Sequence, residues 1–504
     1  MKKLIFLLLA VSFLFICACG EKDAPTSVAP DSVTVCGEVI NAHEKNGEKV
    51  FYLPSFACGT DTGDARVMHS ENLPALFIST ENGLDEVNES ADHSVSASGS
   101  LTVFDKDGNT LCGSVPIKIK GRGNATWHAE KKPYQIELEA AESLLGLCRA
   151  KKFILLANYY DPSLLRNRIA LDIAKKCGAV STPDCVPVDL YADGDYLGSY
   201  LLCEKIGIGE GRIEIADLEK ENKSLLEKKP SEYGRGGVTE GAENGSAKWY
   251  ELPVCPSDIS GGYLLEVDYT ERYPDEKCGF VTSRGLPVVI KSPEYVSEDE
   301  VNYIKEYFCD FEDALFSDDG VNGKEIHYSE YADMDSLVFR YLIEEFTLNI
   351  DGGISSFYIY KDKDENGGKL NFSCAWDYDC AFGNYALYAD LTSPETLFAA
   401  SSETRNAGSM PSIFFAMMKH DEIRAAVKEY YSGVFKDAVT SVLDGFDECA
   451  GYVSSSAEMD GDLYGDTSRF DFYKADAGKG FADAVLYLRD FICARVEFFD
   501  KTFK

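Results

Sequence analysis

Three aspartates in the second half of the chain have the type and spacing that catalysis needs. Asp351 lies in NIDGGISSFYIYK, between a helical-looking segment and a strand-like one. A second strand-like stretch, KLNFSCAW, leads into Asp377 and Asp379. The Gly-Gly pair favours a turn, and the two short strands would bring the three carboxylates to one cleft. In phosphoryl transfer one aspartate orients or deprotonates the attacking hydroxyl, and another holds the magnesium on the phosphates. The pattern therefore indicates metal-assisted phosphoryl transfer.

The same aspartates also have a simpler interpretation. An aspartate beside two glycines is commonly a turn residue, and acidic pairs on loops are commonly solvated. The neighbouring Trp376 and Phe382 favour the catalytic interpretation, because carboxylates fixed at an apolar wall generally need a cation.

Several charged residues in the first half are candidates for nucleotide contact. Arg122 lies in GRGNATW, whose glycines would let backbone amides approach a phosphate, although a bulged turn that packs Trp127 explains the segment equally. Lys132 is at the entrance of the predicted strand KKPYQIEL, within reach of phosphate oxygens. Arg166, near the first turn of a predicted helix, either clamps an anion or braces the fold. Glu204 lies in the predicted strand YLGSYLLCEKI; if this strand runs to a linker between two lobes, Glu204 would border the adenine pocket.

The amino terminus predicts export. Lys2 and Lys3 precede an apolar run from Leu4 to Ile16, which has the length of a signal-peptide core and is short for a membrane span. The sequence ICAC resembles a bacterial lipoprotein processing site, at which Cys19 would be lipidated. An ordinary secretory signal cleaved nearby is the alternative. We expect a lipid-anchored, extracytoplasmic protein that touches the membrane through its anchor only.

Composition narrows the classes of partner. With 504 residues and 45% hydrophobic content, the chain is expected to form two lobes. A formal net charge of −36 disfavours nucleic acid and anionic lipid. The acidity would suit a basic protein substrate, although a solvated acidic surface explains it as well. Sixteen scattered cysteines permit disulfides without showing them, and no CxxC pair indicates structural zinc.

The pattern of elements predicts an α+β fold. Residues 1–19 are the predicted signal, and residues 20–72 a tether with a small strand-bearing lead-in. A strand-rich lobe is expected over about 73–210, a polar, glycine-rich mobile insertion over 216–262, and a mainly helical lobe over 300–504.

Five ordered blocks then reveal a resemblance, which extends from about Leu73 to the end of the chain. They are GRGNATWHAEKKPYQIEL, LLANYYDPSLLRNRIALDIA, YLGSYLLCEKI, GGYLLEVD and WDYDCAFGN, and they resemble the signature blocks of the spore-coat protein H (CotH) family of atypical protein kinases. The resemblance implies a two-lobed kinase-like fold that uses ATP with Mg²⁺ or Mn²⁺ to phosphorylate serine or threonine on a protein.

The resemblance also assigns individual residues. It makes Asp351 the catalytic aspartate and Asp377 a metal ligand, with Asp379 beside it, and it supports Lys132 for nucleotide binding. Ser356 replaces an asparagine that some relatives carry five residues after the catalytic aspartate, so it is a weaker metal ligand and leaves a second metal site in doubt.

A function of a different class remains open at this stage. A noncatalytic cell-surface protein could keep the same fold for adhesion or assembly, and ATP is scarce outside a cell. Other chemistries find no support, because the chain has no GxSxG, no HExxH and no GxxxxGK[ST] motif.

Overall fold

The computed structural model describes residues 29–237, 241–387, 389–406, 408–465 and 480–503. The predicted signal, with Lys2, Lys3 and Cys19, and the first part of the tether therefore lie outside the described residues. Helix makes up 33% and strand 26% of the chain, which agrees with the α+β prediction. Among the described helices, none is long and apolar enough to cross a membrane.

The first part of the described chain is built from strands and two helices. The strands are β1 Ser32–Val35, β2 Glu38–Asn41, β3 His43–Lys45, β4 Glu48–Leu53, β5 Arg66–His69, β6 Ala75–Thr80, β7 Ser96–Phe104, β8 Thr110–Gly121, β9 Tyr134–Glu142, β10 Ala150–Leu156, β11 Cys185–Ala192 and β12 Asp195–Glu204. The helices are α1 Asp85–Glu89 and α2 Arg166–Lys176.

Seven of these strands close into a barrel in the order β10-β12-β11-β6-β7-β8-β9. All neighbours are antiparallel except β6 and β11, which are parallel. Alternate residues of the strands fill the barrel with apolar side chains, among them Ile119, Ile136 and Leu202, each fully buried. Because side chains in a strand point alternately to its two faces, Lys118 and Lys120 of β8 lie on the outside of the barrel.

The lead-in forms two small sheets, β1-β2 and β3-β4-β5, which pack on one side of the barrel. Phe51 and Tyr52 of β4 are buried there against Phe77 and Tyr191 of the barrel. The predicted strand-bearing lead-in is thus a docked extension of the barrel.

A second sheet of seven strands has the order β13-β14-β16-β17-β15-β18-β19. Its strands are β13 Arg235–Gly237, β14 Ala247–Tyr250, β15 Tyr263–Val267, β16 Gly279–Val281, β17 Pro287–Ser292, β18 Phe357–Lys361 and β19 Leu370–Asn371. The range 216–262, expected to be a mobile insertion, contributes helix α3 Leu218–Leu225 together with β13 and β14, and its residues 238–240 lie outside the described chain.

Helices dominate the remaining part. They are α4 Glu298–Phe316, α5 Met334–Thr347, α6 Ile413–Met417, α7 Asp421–Tyr430, α8 Lys436–Asp444, α9 Phe446–Tyr464 and α10 Phe481–Thr502, and a small hairpin of β20 Thr404–Arg405 and β21 Met410–Pro411 precedes α6. Helix α5 is buried along almost its whole length and lies at the centre of the largest apolar core.

The carboxyl-terminal end of α9 joins the barrel to the lead-in. Asp460 accepts a hydrogen bond from the backbone of Ser199 (3.0 Å) and forms a buried ion pair with Lys131. Gly198 has a φ of +108°, and a Cβ there would overlap the Asp460 carboxylate, so the approach requires glycine. Two residues on, Asp462 binds the hydroxyl of Tyr52 at 2.7 Å.

Candidate active site

A cleft of about 1600 Å³ is lined by residues of the barrel, of the second sheet and of the loops that follow α5 and β19. Thirteen lysines and arginines line it beside twelve aspartates and glutamates, although acidic residues outnumber basic ones by 85 to 49 in the whole chain. The lining of the cleft therefore has a larger share of basic residues than the chain as a whole.

Asp351 lies in this cleft on a turn that leaves α5. The helix ends at Leu348, whose left-handed conformation (φ 49°) turns the chain. The backbone carbonyl of Asp351 accepts hydrogen bonds from Ile354 (2.9 Å) and Ser355 (3.0 Å), and its backbone N–H donates to Asn349 Oδ1 at 3.2 Å. The predicted turn is present, and it holds the carboxylate in place from both sides.

The side chain of Asp351 accepts a close hydrogen bond from the hydroxyl of Tyr269. Burial raises the pKa of the Asp351 carboxyl to about 6, the Tyr269 hydrogen bond opposes this rise, and the negative charge of Asp377 adds to it. A carboxyl with this pKa is ionised at neutral pH and accepts a proton more readily than a solvated aspartate does.

Asp377 is hydrogen-bonded to the segment that follows Asp351. The hydroxyl of Ser356 donates to Asp377 Oδ2 at 2.9 Å, and the side-chain amide of Asn349 donates to the Asp377 carbonyl at 3.2 Å. Both Asp377 and Ser356 have positive φ angles, 72° and 50°. Such conformations are costly for residues other than glycine and persist where the surroundings enforce them, as they often do at functional sites.

Asp379 is the third of the sequence-predicted aspartates that line the cleft. Burial and, to a smaller extent, the nearby charge of Asp377 together raise the pKa of its carboxyl to about 7. Three carboxylates that repel one another in a partly desolvated cleft favour the arrival of a cation. The structure thus brings Asp351, Ser356, Asp377 and Asp379 together, as the sequence predicts.

A buried ion pair on α5 supports both segments that carry these aspartates. Arg340 Nε donates to Glu344 Oε1 at 2.7 Å. The same guanidinium donates to the carbonyls of Ser356 (3.4 Å), five residues after Asp351, and of Cys374, three residues before Asp377. Glu344 accepts the hydroxyl of Tyr378 at 2.9 Å. The i,i+4 spacing of Arg340 and Glu344 is visible in the sequence, but their contacts with the two acidic segments are not, because those groups lie elsewhere along the chain.

The barrel contributes cations to the same cleft. Lys120 of β8, Arg122 just after it and Lys205 just after β12 all line the cleft. The Arg122 guanidinium lies 5.7 Å from the ring centroid of Trp376, directly before Asp377. Burial and, to a smaller extent, the nearby Lys152 and Lys120 together lower the pKa of Lys205 to about 8. Positive charges so close together indicate a site for a polyanion.

Comparison with known families agrees with this geometry. The model of the CotH kinase protein family matches residues 117–499. The chain belongs to the CotH kinase family. The match begins within β8, whereas the resemblance in the sequence was expected from about Leu73, so the lead-in and strands β6 and β7 precede the matched region. Among curated proteins, none matches this chain.

Three residues predicted to bind nucleotide in this CotH family member do not line the cleft. Lys132 donates to the carbonyl of Trp127 at 2.7 Å and lies over the indole ring. Glu204 is buried and accepts the backbone N–H groups of Cys148 (2.6 Å) and Asp184 (3.0 Å). Both side chains therefore organise the barrel.

Arg166, the third of these residues, is fully buried at the start of α2. It pairs with Asp161, and its Nε donates to the carbonyl of Ala381 at 3.0 Å. The next residue, Asn167, accepts the backbone N–H of Tyr378 at 2.7 Å. These contacts support the alternative in which Arg166 braces the fold, because they join α2 to the loop that follows Asp377.

The sequence interpretation of this CotH family protein missed Lys120 and Lys205 as residues of the cleft. For Lys120 the alternation Ile117-Lys118-Ile119-Lys120 was a usable signal, because it places Lys118 and Lys120 on the same face of β8. Lys205 gave no comparable signal, since only the folded barrel shows that the end of β12 reaches the cleft.

The oxygen donors of the site suit a hard divalent cation. Among the described residues, no group of three or more His, Cys, Asp or Glu side chains is arranged to hold a metal ion by itself. The carboxylates of Asp377 and Asp379 and the hydroxyl of Ser356 are the donor types that Mg²⁺ and Mn²⁺ prefer, and Mg²⁺ commonly takes only one or two protein carboxylates together with substrate phosphates. The residues present therefore fit a metal that arrives with a nucleotide.

Proposed function

We propose that this CotH family protein is an ATP-dependent and metal-dependent protein kinase that phosphorylates serine or threonine. The observation that carries the proposal is that one cleft is lined both by Lys120, Arg122 and Lys205 from the barrel and by Asp351, Asp377 and Asp379 from the loops after α5 and β19. A nucleotide triphosphate with its cation needs both kinds of charge side by side.

In this proposal the barrel is the nucleotide-binding lobe and the second sheet with its helices is the catalytic lobe. Lys120, Arg122 and Lys205 bind the phosphates. Asp377 and Asp379, with Ser356, would hold Mg²⁺ or Mn²⁺, which when bound neutralises charge that develops on the phosphates.

Asp351 acts on the acceptor. Its carboxylate orients the hydroxyl of the protein substrate and takes its proton as the oxygen attacks phosphorus. Tyr269 holds one carboxylate oxygen of Asp351, which leaves the other available to the acceptor. Arg340 and Glu344 keep the two acidic segments at their positions through the contacts described above.

We further propose that the protein is exported and held at the bacterial membrane by a lipid on Cys19. The basic residues, apolar run and ICAC sequence of the amino terminus support this. The net charge of −36 supports a basic protein substrate and disfavours nucleic acid. A substrate rich in serine and threonine would also suit the proposed activity.

The test uses the purified full chain with ATP labelled on its γ-phosphate, a generic basic protein, and Mg²⁺ or Mn²⁺. We expect label in the basic protein or in the chain itself, dependence on the metal, and loss of both transfer and metal-dependent nucleotide stabilisation in Asp377→Ala. Absence of transfer with either metal, together with retained binding in a surface-adhesion or assembly assay, would support the noncatalytic alternative.

A further inference from the structure

Two cysteines lie directly opposite each other in the barrel. Cys185 begins β11 and pairs in register with Cys203 near the end of the antiparallel strand β12. The next pair along the ladder, Asp184 and Glu204, is joined by a hydrogen bond from Glu204 N to Asp184 O at 3.0 Å.

This hydrogen bond defines the geometry of the cysteine pair. Directly opposed residues in an antiparallel ladder alternate between hydrogen-bonded and non-hydrogen-bonded pairs, so Cys185 and Cys203 form a non-hydrogen-bonded pair. The Cα atoms of such a pair lie about 4.5 Å apart and the side chains approach closely. A disulfide accepts Cα separations of about 4.4 to 6.8 Å, so the backbone already has a suitable geometry.

The side chains of Cys185 and Cys203 also lie close to each other. Both are buried, and the Cys203 thiol donates to the Leu201 carbonyl at 3.6 Å. It also lies within hydrogen-bonding reach of the Cys185 thiol. Both sulfurs are free thiols in this structure, so the pair is in its reduced form.

We propose that Cys185 and Cys203 are joined by a disulfide when the chain folds in the presence of a disulfide oxidant. One thiolate attacks the oxidant's S–S bond, which gives a mixed disulfide and releases one small thiol. The second thiolate attacks the protein sulfur of that mixed disulfide, the Cys185–Cys203 bond forms, and a second small thiol leaves. The protein loses two protons and two electrons, and the oxidant is reduced to two thiols.

Burial sets the time at which this bond forms. It raises the pKa of the Cys203 thiol well above its ordinary value, so the native protein contains little of the reactive thiolate. Exchange therefore takes place while the barrel is still open. Once made, the bond is shielded from reductants by the same burial.

The bond has a consequence for the cleft. Lys205, which lines the cleft, follows Cys203 by two residues, and Glu204 between them holds the backbone of Cys148 and Asp184. The disulfide fixes the end of β12 from which Lys205 extends. This inference is independent of the kinase proposal, since it concerns the barrel itself.

The test folds the full chain from the reduced, denatured state in a buffer of oxidised and reduced glutathione, and in parallel in excess dithiothreitol. After alkylation and digestion without reduction, we expect one peptide pair that links Cys185 to Cys203, about 2 Da lighter than the two free peptides. The oxidised protein should melt roughly 5 °C higher than the reduced protein, because the cross-link restricts the unfolded chain.

Three variants control the assignment. Cys374→Ala removes a buried thiol elsewhere and should keep the cross-link. Cys449→Ala removes another thiol near Cys185 and should also keep it. Cys203→Ala should lose both the cross-link and the gain in melting temperature; if it fails to fold, the peptide map of the unaltered chain decides alone. Alkylation of Cys185 and Cys203 after oxidative folding, or a bond from Cys185 to Cys449, would overturn the proposal.

Discussion

Replacement of Asp351 by asparagine separates catalysis from binding most directly. The amide oxygen can still accept the Tyr269 hydroxyl, and the turn that carries the residue is held by backbone hydrogen bonds. The variant should therefore keep the fold. It cannot take up the proton of the acceptor hydroxyl.

The expected loss follows from that change. Removing a general base commonly lowers the rate by about a hundredfold to ten-thousandfold. At about 1.4 kcal/mol for each factor of ten, this is about 3 to 5 kcal/mol of transition-state stabilisation. The KM for ATP should change by less than about twofold, because the group acts in the transition state.

The pH dependence gives a second measurement of the same carboxylate. With its pKa raised to about 6 by burial, Asp351 is ionised above that pH and protonated below it. The wild-type rate should therefore fall about tenfold per pH unit below about pH 6. The residual rate of Asp351→Asn should not show this fall below about pH 6.

The assay is transfer of labelled phosphate to a basic protein, measured from pH 4.5 to pH 8 with saturating metal. Asp275→Asn is a matched control, since Asp275 is an exposed aspartate that lines the same cleft, and its rate should equal that of the wild type. A rate for Asp351→Asn within about threefold of wild type, or a wild-type rate that stays flat to pH 4.5, would refute the role of Asp351 as base.

Three further predictions test other parts of the site and the anchor. Lys205→Met should raise the KM for ATP about tenfold without lowering the melting temperature, because burial and the nearby Lys152 and Lys120 disfavour the charge of Lys205 in the folded protein; an unchanged KM would remove this lysine from the phosphate site. Tyr269→Phe removes a hydrogen bond that lowers the pKa of Asp351, so the acid limb should shift to higher pH; a limb that stays in place would show that the contact is only structural. Cys19→Ala should release the protein from membranes or stall its processing, measured by fractionation and by mass; a correctly cleaved variant that stays on membranes would count against lipidation.

Local sequence was sufficient to predict how the acidic residues are brought together. Asp351 lies in a turn that its own neighbours specify, and Asp377 follows a short strand that pairs with the strand after Asp351. These are contacts of short range, which turn residues and strand periodicity indicate directly. The α+β character followed from the same patterns.

Charged residues whose partners are distant could not be assigned in this way. A buried arginine such as Arg166 and a cleft arginine such as Arg122 look alike in a sequence, because only the fold shows which carbonyl or solvent volume each one meets. The closed barrel was also not predicted, since closure depends on the parallel contact between β6 and β11, which are separated by four other strands along the chain. Nonlocal pairing of this kind leaves no periodic signal.

The contact between α9 and the barrel has a consequence for the order of events during synthesis. Lys131 is buried in an ion pair with Asp460, and the two residues are separated by 329 positions. A buried ammonium is stable only with its counter-ion in place, so the final form of the barrel waits for nearly the whole chain. If the protein is secreted as proposed, its barrel cannot finish folding before the carboxyl-terminal part has been made. The chain would therefore remain unfolded enough to pass through a translocation channel. Enzymatic competence would then begin only on the far side of the membrane, away from the proteins of the cell that made it.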